Sequence, residues 1–123
     1  MNKGEVLQQF FSGFGLEAYP ATANHKGRQF PYLTYTPVFD SIYGGEQSIT
    51  AELWYYGTGE AEPNQKAQQI AEKIGPGGLA LRCDGGFIWI KRGSPWCQPV
   101  YDPSDDNLKR RELNISVEFC TND

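Results

Sequence analysis

The clearest pattern in this chain is an uninterrupted alternation of apolar and polar side chains near its C-terminal end. Residues 111–119 read Arg-Glu-Leu-Asn-Ile-Ser-Val-Glu-Phe. Successive side chains of a β-strand point to opposite faces of a sheet, so Leu113, Ile115, Val117 and Phe119 share one face. The segment therefore predicts a strand with one face in the core, and the end of the chain belongs to the fold.

Apolar residues near the N-terminus follow a helical spacing instead. Residues 3–14 carry Val6, Leu7, Phe10, Phe11 and Phe14, and glycines at 13 and 15 supply a stop. This spacing predicts a short amphipathic helix whose apolar stripe needs a sheet to cover.

Two strands are predicted between this helix and the middle of the chain, after a polar loop at 21–29. Residues 32–36 are aromatic and β-branched and are bracketed by Pro31 and Pro37, which favours a strand limited at both ends or lying at an edge. Residues 47–56 alternate again, which places Leu53 and Tyr55 on one face. We expect the two strands to form a hairpin or to be neighbours.

A second helix is predicted up to Ile74. Pro63 suits a first helical turn, the stripe Ala67, Ile70, Ala71 and Ile74 has helical spacing, and Gly75-Pro76 ends it.

The rest of the chain predicts further strands. Residues 79–82 and 87–91 flank Asp84-Gly85-Gly86, a turn sequence that suits positive φ, so a second hairpin is expected. Gly93-Ser94-Pro95 is expected to break that strand, with residues 96–101 as a separate short extended piece.

These elements predict a single α+β domain over residues 1–123, in the order α-β-β-α-β-β-β. The expected architecture is an antiparallel or mixed sheet of about five strands with both helices packed on one face. A chain of 123 residues is long enough for one such core.

Composition and charge narrow the classes of function. The formal net charge of −4 argues against a protein that holds nucleic acid by neutralising phosphates. No apolar run has the length of a signal peptide or of a membrane span, so we expect neither secretion nor membrane insertion. The three cysteines, Cys83, Cys97 and Cys120, form no Cys-x-x-Cys motif and are expected to be reduced thiols.

No catalytic, cofactor or metal site is predicted. Asp102, Asp105 and Asp106 crowd three carboxylates together, but the glycine and distal glutamate of an EF-hand are missing, so a solvated turn is the preferred interpretation. His25, the single histidine, lies in a polar loop without a motif partner. The alternative is a small hydrolase or ligand-binding domain in which His25 works with the carboxylates of residues 102–106.

Large aromatic and basic residues are the candidates for a partner interface. If Leu53 and Tyr55 face the core, Trp54 and Tyr56 face away from it, whereas Trp96 falls in a proline-bounded stretch. Trp, Tyr and Arg supply much of the binding energy of protein interfaces. The candidate interface residues are Trp54, Tyr56, Trp96, Lys109, Arg110 and Arg111. The competing interpretations are that a loop or the first helix covers the aromatic residues, and that the basic cluster is solvated or salt-bridged.

Several stretches together resemble the tail terminator family, the small tail-completion proteins of long-tailed bacteriophages and prophages that are often labelled minor capsid proteins. The resemblance spans nearly the whole chain. Its elements are the N-terminal helix, Pro31-Tyr32-Leu33-Thr34-Tyr35, the strand ending Leu53-Trp54-Tyr55-Tyr56, the helix ending Ile74-Gly75, the segment from Gly86 to Trp96, and the close from Asp102 to Phe119.

The resemblance implies a structural protein of the virion neck, made in the host cytoplasm, with no enzymatic activity and no cofactor. Such a protein assembles with copies of itself as a hexameric ring on the head-proximal end of the tail tube. It stops tube polymerisation and offers a joining surface to the head-tail connector protein, while genomic DNA passes through its lumen without specific binding. A head-closure or adaptor protein of the same neck is the nearest alternative.

Overall fold

The chain folds into two α-helices and six β-strands in a computed structural model that describes residues 1–24 and 27–122. The helices are α1 (Lys3–Phe11) and α2 (Ala61–Ile74). The strands are β1 (Glu17–Pro20), β2 (Tyr32–Tyr35), β3 (Glu46–Tyr56), β4 (Leu79–Cys83), β5 (Gly86–Val100) and β6 (Leu108–Thr121). Short 3-10 turns occupy Ser12–Phe14 and Ile42–Gly44.

All six strands join one mixed sheet in the order β1-β2-β3-β6-β5-β4. β1 runs parallel to β2, and every other neighbouring pair is antiparallel. The alternating segment forms most of β6, and its apolar residues from Leu113 to Phe119 are almost completely buried. The predicted α+β class, the mixed sheet and the pairing of β2 with β3 are confirmed, and β1 is the strand that the prediction lacked.

Both helices pack on one face of this sheet. Asn2 and Glu5 form a capping box at the start of α1, and its apolar stripe is buried from Val6 to Phe11. α2 buries the predicted stripe against β3, β5 and β6. Because α1 contacts both edge strands, β1 and β4, the sheet curls around it.

The predicted second hairpin is confirmed and depends on glycine. Cys83 pairs with Gly86 across the two-residue turn Asp84-Gly85. Gly86 has φ of 153°, and a Cβ added there would lie 2.1 Å from the carbonyl oxygen of Cys120. Only glycine lets β5 and β6 approach this closely.

The predicted strand break at residues 93–95 is wrong, and so is a separate strand at 96–101. β5 runs through this segment to Val100, with a shift of register against β6 between Arg92 and Cys97. The extra residues of β5 form a β-bulge that contains Pro95, and the parts of β5 before and after the bulge both stay paired with β6.

Neither described helix combines the length and the apolar character that crossing a membrane requires.

Candidate interaction surface

The sheet face opposite the helices, here called the outer face, carries an unusual density of aromatic side chains. Along β3, Leu53 and Tyr55 are buried in the core, whereas Trp54 is half-buried and Tyr56 is 47% exposed. The predicted outward orientation of Trp54 and Tyr56 is therefore confirmed.

Five rings from β1, β2, β3 and residue 30 form what we call the outer aromatic cluster: Tyr19, Phe30, Tyr32, Trp54 and Tyr56. Tyr32 stacks on Trp54 with ring centroids 5.6 Å apart and an interplanar angle of 11°. Tyr19 meets Tyr32 edge-on at 6.1 Å. Phe30 lies 5.3 Å from Tyr32 and 5.4 Å from Tyr56, which closes the cluster. Ring pairs of these geometries contribute beyond the area that they bury.

Polar groups fix the orientation of Trp54 within this cluster. Its indole Nε1 donates a hydrogen bond to the hydroxyl oxygen of Thr34 at 2.9 Å. The guanidinium of Arg110 lies 4.1 Å from the Trp54 ring centroid, and its Nη2 is 2.6 Å from an oxygen of Glu52. The ring is thus held on one edge and on one face before any partner arrives.

A second guanidinium lies at the other end of the cluster. The Arg28 guanidinium carbon is 4.0 Å from the Tyr19 centroid and 5.6 Å from that of Tyr32. Burial raises the pKa of Tyr32, and the charges of Arg28 and Arg110 oppose that rise. The tyrosine is therefore neutral at physiological pH and acts as a stacking surface.

The predicted basic cluster divides between the two faces of the sheet. Only Arg110 joins the outer face. Arg111 is 5% exposed; its Nε donates to Asn64 Oδ1 at 2.9 Å and its Nη2 donates to Glu60. Lys109 lies 3.6 Å from the same Glu60 carboxylate. These two cations therefore connect β6 to the start of α2. For Lys109 and Arg111, the salt-bridged interpretation of the basic cluster is correct.

Trp96 lies apart from the outer aromatic cluster. It packs against the core, and its Nε1 donates to the carbonyl oxygen of Ala67 in α2 at 3.1 Å. Its half-buried ring contributes to the docking of α2. The structure thus brings Trp54, Tyr56 and Arg110 together and places Trp96, Lys109 and Arg111 elsewhere.

The candidate residues taken from the sequence lacked four members of this surface, namely Tyr19, Arg28, Phe30 and Tyr32. Tyr19 lies in a four-residue strand that ends in proline, which is too short for a periodic signal. Arg28 lies in the segment 21–29 that was interpreted as a polar loop, and Phe30 lies between that loop and the predicted strand. The aromatic run around Pro31 was the available signal.

The acidic loop satisfies its own carboxylates. Asp102 Oδ1 accepts hydrogen bonds from the Ser104 backbone N–H at 2.9 Å and from its hydroxyl at 2.7 Å, and these bonds lower the pKa of Asp102. Asp105 accepts from the Asn107 N–H at 3.0 Å. This is the geometry of aspartate-stabilised turns. Among residues 1–24 and 27–122, no group of three His, Cys, Asp or Glu side chains is arranged to hold a metal, and His25 lies outside the described residues.

Comparison with known proteins assigns no family to this arrangement: neither a protein-family model nor a curated protein sequence matches the chain.

Proposed function

We propose that this protein is a tail terminator of a long-tailed phage or prophage. In this proposal it assembles as a ring, hexameric by the resemblance, at the head-proximal end of the tail tube. It stops tube growth, presents a joining surface to the head-tail connector and lets genomic DNA pass through its lumen. It works in the virion neck by shape and contact, without a catalytic group or cofactor.

The observation that carries the proposal is the outer aromatic cluster on a braced sheet face. Phe30 is 43% exposed and Tyr56 47%, while Tyr32 and Trp54 beneath them are locked by stacking, a hydrogen bond and Arg110. Pre-ordered aromatic and arginine side chains are typical anchors of protein interfaces, because little side-chain entropy is lost on binding. We assign this surface to contact with the tail tube protein.

Charge is consistent with a channel for DNA. The chain carries a net charge of −4, and on the outer face Glu112 of β6 lies opposite Glu52 of β3 while Glu118 lies opposite Glu46. Carboxylates repel phosphates, so a ring lined by acidic subunits lets DNA slide through instead of binding it.

The test combines native mass spectrometry with binding to purified tail tubes. The wild-type protein is expected to form a closed ring and to cap tubes. A Phe30→Ser/Tyr56→Ser variant is expected to keep the ring but to bind tubes at least about 30-fold more weakly, since two exposed anchors are lost. Tyr101→Ser is the matched control, because Tyr101 is an exposed aromatic residue outside the cluster.

Binding to isolated tube protein and to head-side connector protein separates the two neck functions. A terminator must bind the tube, whereas a head-closure protein binds the connector and ignores free tubes. A protein that remains monomeric in the presence of tail tubes would refute the proposal.

A further inference from the structure

A second exposed apolar feature lies far from the outer aromatic cluster, on the segment that joins β2 to β3. We call residues 38–45 the arm. Its three large apolar side chains, Phe39, Ile42 and Tyr43, are 64%, 53% and 90% exposed. Three large apolar side chains exposed together in one short segment make the arm a candidate contact surface.

The arm is held in one shape. Lys3 Nζ donates to the carbonyl oxygen of Asp40 at 2.5 Å, and the Asp40 carboxylate accepts from the Ser41 N–H at 2.8 Å and from the Gln47 amide. A Cβ at Gly44 would lie 2.0 Å from Asp40 Oδ2, so glycine at this position leaves room for the Asp40 carboxylate. These bonds leave Ile42 and Tyr43 projecting outward.

A groove of about 630 Å³ lies on the other side of α1. Its walls are α1, through Val6 and Phe10, and α2, through Lys73; β4 forms its floor with Ala80, Leu81 and Arg82. The volume suits two large side chains. In the described part of the chain, no carboxylate is within ion-pair distance of Lys73 or Arg82.

Helix α1 separates the arm from this groove. Gly4 and Leu7 border the arm side of the helix, whereas Val6, Phe10 and Gly13 border the groove. The arm cannot fill the groove of its own subunit, but it can fill that of a second copy.

We propose that the arm tip, Ile42 and Tyr43, inserts into the α1–α2–β4 groove of a neighbouring copy of this chain. Charge favours this occupant, because Asp40 lies beside the tip and Lys73 lines the groove, whereas Glu46 is already paired with Lys91 of its own subunit. Two different patches that fit each other make a head-to-tail contact, which closes into a ring when the rotation permits. The inference builds on the proposed function by naming the contact between subunits.

Three variants test this contact by native mass spectrometry of the full chain. Ile42→Ser/Tyr43→Ser removes the tip, and Gly13→Arg places a long side chain in the groove that Gly13 lines, where an added Cβ meets no atom within 4 Å. Each alone is expected to lose the ring, with the dissociation constant raised at least about 30-fold. Lys73→Glu is the second groove variant, in case Gly13→Arg disturbs the 3-10 turn Ser12–Phe14. Tyr101→Ser, at an exposed tyrosine outside both patches, is expected to keep the ring.

Mixing the tip variant with a groove variant gives the decisive result. The groove variant keeps an intact arm and the tip variant keeps an intact groove. The two are therefore expected to form a one-to-one dimer that cannot grow further. Rings formed by either variant alone, or a mixture that stays monomeric, would overturn the inference.

The outcomes also separate this inference from the proposed function. A wild-type ring that caps tubes but ignores these substitutions refutes only the arm contact. Arm-dependent association of a protein that binds no tube refutes only the terminator function.

Discussion

Trp54 uses one indole ring for three kinds of contact. It stacks on Tyr32, lies under the Arg110 guanidinium and donates to Thr34. The side chain that alternation predicted to face outward is therefore part of the scaffold of the outer aromatic cluster as well as a candidate contact.

Replacing Trp54 separates these contributions. Trp54→Ala is expected to lower the free energy of unfolding by about 3 kcal/mol, because a half-buried ring and its stacking are lost. Trp54→Phe keeps an aromatic ring but loses the hydrogen bond, so a loss of about 1 kcal/mol is expected. Urea denaturation measures both, and equal losses would contradict the assignment.

Glu60 gives the stability a predictable dependence on pH. The hydrogen bond from Arg111 lowers the pKa of Glu60 below its usual 4.5. A carboxylate whose folded pKa is depressed stabilises the fold above its unfolded pKa, and this contribution disappears as pH falls through the folded value.

Glu60→Gln is therefore expected to be less stable than wild type at pH 7, with the difference shrinking below about pH 4.5. Chemical denaturation at a series of pH values measures the difference. Glu17→Gln is the control, because Glu17 is exposed and forms no ion pair in the described chain. A Glu60→Gln deficit that stays constant down to pH 3 would rule out the linkage.

The close approach of β5 to β6 depends on one glycine. Gly86→Ala places a methyl group against the Cys120 carbonyl at a φ of 153°. We expect the free energy of unfolding to fall by at least about 2 kcal/mol. Gly77→Ala is the matched control, since a Cβ there meets nothing within 4 Å. Thermal denaturation compares them, and equal midpoints would contradict the clash.

Elements with strong periodicity were predictable, and those set by tertiary pairing were not. The alternation in β3 and β6 and the stripes of both helices identified most of the core. β1 was missed because its pairing with β2, rather than its own pattern, makes it a strand. The break expected at Pro95 did not occur because the bulge keeps both halves of β5 on β6.

The candidate surface was predictable to a similar extent. Alternation placed Trp54 and Tyr56 on the outer face and Arg111 on the same face as Leu113, but it could not show which groups pair with an arginine on the core face. The partners of Arg111 are Glu60 and Asn64 at the start of α2, which are distant in sequence. Trp96 faces α2 for the same kind of reason.

Burial across the molecule predicts where local opening is easiest. β6 lies inside the sheet between β3 and β5, whereas β1 and β4 are the two edge strands of the sheet. Amide protons in the centre of β6 are expected to exchange only through global unfolding, and those of β1 through local opening.

Hydrogen exchange followed by mass spectrometry tests this order of protection. β3, which also has a neighbour on each side, provides the internal reference. Exchange from β6 that is as fast as exchange from β1 would contradict it.

The prolines of β5 hinder the pairing of this strand with strands of other molecules. Beyond residue 90, β5 extends past its partner β4 and is paired only with β6, so its other margin is unpaired in the described chain. Pro95 and Pro99 lie in this stretch, and neither has an N–H to offer a foreign strand. Molecules of this protein are thereby discouraged from adding to one another sheet against sheet, the route that leads to insoluble fibres.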